Sequence, residues 1–451
     1  MVNDKKKAKK RKVERIQTKN LPQVVMEDIL SRLPVKSLLR FRCVCKAWCA
    51  LISDPFFVKI HINQSLASSS NPSLLLTGLV DLYSVELNVC EQEVAKKLHL
   101  PLKALQDITV LGSCNGLLCI SISKDFEDDI ILWNPSTRRH QKLLFTPIEV
   151  HVPYKFRVKF GFSRFIGYGF GYEPTTGDYK LVMFAQASFD DGYTWHSEGK
   201  VYSLITNSWK RIGDMDCCLT TRLPGVLANS ALHWIADRVK GPFTPPSIIV
   251  SFDLKNEEFG EVPLPEFVDS KFHMTVGVLG GKLCMVCNFE RVCVEVWIMK
   301  DYGIRDSWEK QFSIKQPSRL RSFMSVSPIC YSKNGEIVLA KASGELFMYD
   351  PRRGRVRKLR IRGDLYKDEA KICIGSLVPL NAKDGIEQPD TNNQNGERRK
   401  EKGRKAYYRL WANEDFALIR LHCRTRLWEA KAKWKLIITV FGNGFLNRVC
   451  S

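Results

Sequence analysis

One turn-and-strand element recurs five times along the chain, and nothing else in the sequence restricts the fold so tightly. It reads CNGLLCISI from 114, GDYKLVMF from 177, NSALHWIA from 229, GGKLCMVC from 280 and NGEIVLAK from 334. Anchored at Gly116, Gly177, Ser230, Gly281 and Gly335, the copies stand 61, 53, 51 and 54 residues apart. A second element trails each copy, as in IILWNPSTRRHQKL, KVYSLITNSWKRI and ELFMYDPRRGRVRKL. In most copies it is a strand, a polar turn at Asn134, Asn207, Asp253 or Asp350, and a further strand. Each repeat therefore holds about four short strands, rich in Val, Ile, Leu, Phe and Tyr between Gly, Asn and Asp turns. Such a unit cannot cover both of its faces. Units set radially bury those faces against one another and leave few open edges. A sixth, partial unit at 73–87, SLLLTGLVDLYSVEL, is expected to close the ring with KICIGSLVPL at 371–380.

A different pattern precedes the repeats. In residues 21–57, Pro22 suits a first helical turn, and Met26, Ile29, Leu30 and Leu33 follow at helical spacing. Pro34 breaks that helix, and Val35, Leu38 and Leu39 open a second. Val44, Ala47, Trp48, Leu51 and Ile52 form a third apolar face, which Asp54–Pro55 is expected to end. Three short helices bury too little surface to be comfortably stable alone. They also cannot hide Leu21, Ile29, Leu33 and Leu38 together with Val44 and Trp48. Either the neighbouring domain or a partner must cover the surplus. The Ser/Asn/Pro stretch QSLASSSNPS that follows reads as a linker and favours a partner.

Net charge is +21 over 451 residues, and its placement is informative. Residues 1–19 hold nine Lys and Arg against Asp4 and Glu14, and residues 381–451 hold fifteen against eight acids. Two thirds of the excess thus lies at the two ends, whereas a nucleic-acid-binding fold would gather it on a folded face. No apolar run approaches the ~18 residues of a membrane span, and no apolar segment follows the basic start as in a secretory signal. The 15 cysteines in so long a chain read as reduced, packed thiols. Residues 1–19 read as a disordered basic tail whose cluster Lys9, Lys10, Arg11, Lys12 has the character of a nuclear import signal. The expected location is the nucleus, with the cytoplasm as a second compartment. Residues 381–405 are polar and turn-rich, as in a disordered linker, and 406–451 form a C-terminal extension with no blade pattern.

Catalytic and cofactor signals fail on context. GYGFGY at 167–172 leads into a turn and another strand, whereas a dinucleotide loop needs a helix after it. Cys284 and Cys287 are three apart within a strand, so their thiols point to opposite sheet faces and cannot share a zinc ion. The histidines are scattered, with no Ser/His/Asp order or HExxH. Basic residues after the blade turns, among them Arg138, Arg139, Lys210, Arg211 and Arg352 to Arg357, read as solvated turn positions. As a rim they would suit acidic or phosphorylated segments.

The block 20–62 resembles an F-box through Leu21, Pro22, Ile29, Leu30, Leu33, Pro34, Leu38, Val44, Cys45, Trp48, Leu51 and Ile52. GSCNGLLCI, LWNPSTR and GFGYEPTTGDYKLV resemble the F-box-associated domain of plant F-box proteins, often described as F-box/kelch-repeat, over 74–380 after a linker at 63–73. The resemblance implies an α+β multidomain chain, a small three-helix F-box followed by a mainly-β kelch-like β-propeller; a repeat near 50 residues fits such blades. It implies the non-catalytic substrate-recognition subunit of a Skp–cullin–F-box ubiquitin ligase, without cofactor or metal. The F-box would dock a Skp-family adaptor, and through it cullin and RING subunits, while the propeller would hold the protein to be ubiquitinated. Leu21, Pro22, Ile29, Leu33, Pro34 and Leu38 are then expected to contact the adaptor, and Leu30, Val44, Trp48 and Ile52 to form the F-box core. The rival readings are a kelch-type scaffold outside any ligase, a basic nucleic-acid-binding protein, and a propeller hydrolase.

Overall fold

The computed structural model describes residues 22–380, apart from 68–72, 79, 88–92, 103–106, 125–126, 145, 147–162, 190–193, 222, 239–246, 268–271, 290–291, 316–325, 342–343 and 363–368. Leu21 and the tails at 1–20 and 381–451, with the basic cluster Lys9 to Lys12, lie outside the described residues.

Among the described residues six sheets follow the helical head. Five are consecutive four-stranded meanders starting at Ile108, Ser163, Cys217, His273 and Val326, the third of these carrying one further short strand. The sixth joins both ends of the domain. Ser73–Thr77 pairs on one side with Leu82–Glu86 and on the other with Glu369–Cys373, antiparallel, with Leu75 opposite Lys371. The expected closure is therefore present. The innermost strands neighbour one another in a complete circle: Glu369–Cys373, Ile108–Cys114, Ser163–Glu173, Val226–Ala228, His273–Leu279, Val326–Tyr331 and back to the first.

The anchors of the repeat have one physical meaning. Gly116, Gly177, Ser230, Gly281 and Gly335 all adopt left-handed backbone, with φ of 78°, 77°, 60°, 78° and 77°. At Asn115–Gly116, Asn229–Ser230 and Gly280–Gly281 both residues are left-handed, the geometry whose twist matches the flanking strands of a two-residue hairpin. The second recurring turn is fixed by a side chain. Oδ1 of Asn134, Asp253 and Asp350 accepts hydrogen bonds from the backbone N–H two and three residues on. Asn207 does not share that position. It is the left-handed residue closing its turn, like Arg138, Glu257 and Gly354, and Ser203 takes the capping place by accepting from Thr206 N–H.

Apolar clusters fill the seams between blades. GYGFGY lies in the innermost strand Ser163–Glu173, and its glycines are needed for close approach. A Cβ on Gly167 would stand 2.4 Å from the Phe184 ring, and one on Gly169 2.6 Å from the Trp234 ring. Trp234 also donates its indole N–H to the Tyr168 carbonyl, pinning the third meander to the second. Cys284 and Cys287 are fully buried in separate clusters on opposite faces of one blade, and burial pushes both thiols up to about 12. Among the described residues no group of three or more His, Cys, Asp or Glu could hold a metal ion.

The helical head has four helices, not three: α1 Gln23–Ser31, α2 Val35–Phe41, α3 Lys46–Ser53 and α4 Pro55–Ala67. Asp54–Pro55 starts a helix as well as ending one. Asp54 Oδ1 accepts from the N–H groups of Phe56 and Phe57, capping α4, and Pro55 occupies the first helical position, where its missing N–H costs nothing. The stretch read as a linker is accordingly helical as far as Ala67. Among the described residues no helix is long and apolar enough to cross a membrane.

Gly169→Ala is expected to overpack the seam against a buried ring and destabilise the domain by about 1–3 kcal/mol, visible as a lower urea midpoint by tryptophan fluorescence. A second expectation concerns His233, fully buried, with Nδ1 at 3.3 Å from the Val226 carbonyl and Nε2 at 2.8 Å from the Tyr302 hydroxyl. The neutral ring satisfies both contacts, donating to the first and accepting from the second. Burial, only partly opposed by the backbone carbonyl contacts, lowers its pKa from 6.5 to about 4. The folded state thus binds this proton less readily than the unfolded chain. The stabilisation is complete above pH 6.5 and is lost as pH falls toward 4. Unfolding midpoints measured across that window should fall less in His233→Gln than in the wild type.

Candidate functional site: the helical head and its seam with the propeller

The head buries one side and exposes another. Leu30, Leu38 and Ile52 are buried with Phe57, Val58 and Ile62 of α4. The same continuous cluster runs on into Leu117, Tyr202, Leu377 and Val378 of the propeller, so head and ring share one core. At the contact, Val35 opens α2 against Gly375, where a Cβ would stand 3.2 Å from Val35 Cγ2 and 3.8 Å from Ser136 Oγ. The segment behind the closing strand is the wedge. Asn134 Nδ2 donates to the carbonyls of Ser376 and Val378 at 3.2 and 2.9 Å, and Ser376 N–H donates to Ser136 Oγ at 3.2 Å. Ser376, Leu377, Val378 and Leu380 are all buried.

This placement corrects three expectations. The propeller itself covers part of the apolar surplus, so the neighbouring domain and an open face coexist. Leu38, expected to contact an adaptor, is 0% exposed and belongs to the core, because α2 turns that position toward both α4 and the ring. Val44, expected in the core, is 61% exposed, because it falls in the turn between α2 and α3. The third helix starts two residues later, capped by Cys45, so its apolar stripe does not reach back to Val44.

The other head residues divide between the two sides. Leu30 and Ile52 are core, and Trp48 is half-buried, edge-on to Phe41 with ring centroids 5.4 Å apart. Pro22 and Pro34 are exposed and precede α1 and α2, where their carbonyls accept the first helical hydrogen bonds. Leu33 is half-buried, and its carbonyl is 3.0 Å from Nε2 of buried His61 on α4, which ties the α1–α2 corner down. Ile29 is exposed at 46%. Its neighbour one turn back, Val25, is exposed at 42% and was not singled out from sequence, although the i, i+4 spacing was the available signal. With Val24, these side chains give α1 an apolar face turned to solvent.

Across the seam lies a cavity of about 2120 Å³, lined by α2, by the inner turns of the ring and by its innermost strands. Among the described residues that line it, His61 is buried, its pKa lowered by burial against a smaller opposing effect of the Leu33 carbonyl, and Cys114 is pushed up to about 12 by burial.

Comparison with known proteins gives two family matches, an F-box domain at residues 19–59 and an F-box associated beta propeller domain at residues 80–380. The F-box protein CPR1 of Arabidopsis thaliana is 35% identical over 377 residues, covering 79% of this chain and 88% of that protein. An Arabidopsis F-box/kelch-repeat protein is 31% identical over 351 residues, covering 74% of this chain and 89% of its own length. Among solved structures, TolB from Acinetobacter baumannii superposes with a TM-score of 0.40 at 16% identity, over 70% of each chain.

The two sides of the head should separate in stability measurements. Leu38→Ala is expected to cost about 2–5 kcal/mol, while Ile29→Ala should stay within ~0.5 kcal/mol of wild type. Equal losses in urea unfolding would contradict the division.

Proposed function

The chain belongs to the F-box proteins that carry an F-box associated β-propeller, and on that footing we propose that it is the substrate-recognition subunit of a Skp–cullin–F-box ubiquitin ligase. One observation carries the reading. The head has a buried side committed to its own ring and an apolar α1 face, Val25 and Ile29, that nothing in the described chain covers. An apolar face rimmed by polar residues is the kind of surface that marks a protein-interaction site. The proposed occupant of that face is a Skp-family adaptor, which links to the cullin and RING subunits, and the propeller holds the protein to be ubiquitinated.

On this reading the chain forms no covalent bond. It raises the effective concentration of a target lysine beside the ubiquitin carrier.

The test is co-purification of the full chain with a Skp-family adaptor. Val25→Ala with Ile29→Ala, each truncating an interface anchor worth about 1–2 kcal/mol, should weaken adaptor capture at least about tenfold while the circular dichroism spectrum and urea midpoint hold. Undiminished capture by the folded double variant would refute the docking assignment.

A further inference from the structure

The cavity at the seam has a strongly one-sided charge. Among the described residues, seven Lys and Arg side chains line it against a single carboxylate, Glu86. Arg32 is held by Asp28, Lys341 by Glu345, and Lys371 donates to the Val110 carbonyl. Lys36, Arg40, Lys96 and Arg138 have no ion pair among the described residues, and all four are exposed to solvent. Three of them flank the contact between head and ring. Val35 and Ser136 both lie against Gly375, so Lys36 and Arg40 on α2 approach the seam from the head while Arg138 approaches it from the blade turn. Cations without counter-charges around a concave surface raise the local concentration of anions.

Size and texture narrow the occupant. Small-molecule sites usually measure about 300–1,000 Å³, and this cavity is about 2120 Å³, reaching from the head to the innermost strands at Thr275 to Val278 and Ser327 to Cys330. Its walls include Leu33, Leu39, Leu227 and Ile329. An extended chain with alternating acidic and apolar side chains suits both the length and the mixed lining. Thr275 lines the cavity at 7% exposure, and its hydroxyl has no hydrogen-bond partner among the described residues.

We propose that the seam cavity holds an acidic peptide segment, rich in Asp and Glu, of the protein that the chain presents. This rests on the substrate-recognition reading and adds a substrate class to it. Lys36, Arg40 and Arg138 supply the charge recognition, and the apolar walls take the intervening side chains. Recognition would straddle head and ring, so neither module alone would have the whole site.

The test uses the purified full chain and a short fluorescein-labelled peptide of alternating Glu and Leu, followed by fluorescence anisotropy. A Gln/Leu peptide and a single-stranded oligonucleotide serve as competitors. The acidic peptide should bind with an affinity that falls with salt, and Arg138→Ser should weaken it by about tenfold. Arg352→Ser with Arg355→Ser, exposed cations outside the cavity, should leave it unchanged. An equal loss in that control, or no loss in Arg138→Ser, overturns the site. An oligonucleotide that binds more tightly than the peptide and loses affinity in Arg138→Ser reassigns the cavity to nucleic acid and overturns the proposal. Arg138 lies outside the head, so adaptor capture by Arg138→Ser should be intact. Failure of the wild type to capture adaptor would instead strike the ligase reading, leaving the peptide result to stand on its own.

Discussion

The antiparallel pairing of Ser73–Thr77 with Glu369–Cys373 is the contact on which the rest depends. A ring of sheets has no edge only if its last blade is completed, and here the two halves of that blade come from positions nearly 300 residues apart in sequence. The pairing hides two strand edges that would otherwise recruit other chains. It also decides where the chain goes next. Residues 374–380 leave the closing strand directly onto the meander that starts at Ile108, where Asn134 and Ser136 hold them by three hydrogen bonds. They present Gly375 to Val35, so closure of the ring and seating of the head are one event in space. Loss of the closing strand would remove the floor on which α2 rests.

Asn134 shows how one residue joins local to long-range order. Its Oδ1 fixes its own turn by accepting from Ser136 and Thr137, the same device as at Asp253 and Asp350. Its amide nitrogen then donates to carbonyls more than 240 residues away, a bond no carboxylate could make. An aspartate would serve the turn and leave the Ser376 and Val378 carbonyls without this buried donor, at a cost of roughly 1–3 kcal/mol. That chemical difference explains why the blade facing the head has Asn where two others have Asp.

The repeat and the closing partner strands were legible because they are written in local turn chemistry: five anchors 51 to 61 residues apart, all left-handed. Three features were not. Asp54–Pro55 carries two messages, a helix end and a helix start, and only the cap geometry shows that both apply. Leu38 and Val44 exchanged roles because helical spacing predicts a face but not which neighbour that face meets. Leu38 is buried only because a fourth helix and a distant ring converge on it. The seam was illegible for a similar reason. A Ser-rich stretch suggests a free linker by composition, whereas contact between head and ring is made by Val35, Ser136 and Gly375, which are far apart in sequence. The glycines of GYGFGY lie in a strand followed by a turn and another strand, as their context suggested, but their purpose, room for Phe184 and Trp234, is a property of the packing around them.

A shared core between head and ring bears on what such a chain can accomplish by proximity. Effective concentration between two tethered sites falls as the connection lengthens and loosens, and it is greatest where the span is fixed. In a chain whose head hung from a flexible linker, a guest on the ring would sweep a large volume relative to whatever docks on α1. Here Val35 is packed against Gly375, and Asn134, Ser376 and Val378 are hydrogen-bonded behind it, so α1 and the ring keep one orientation. The geometric selectivity of the proposed ligase then resides in the seam as much as in the surface that touches the guest. A lysine within the reach set by that orientation is favoured, and one outside it is disfavoured however tightly the guest binds. Substitutions that loosen Gly375 against Val35 would therefore broaden the choice of lysine before they weaken either docking event.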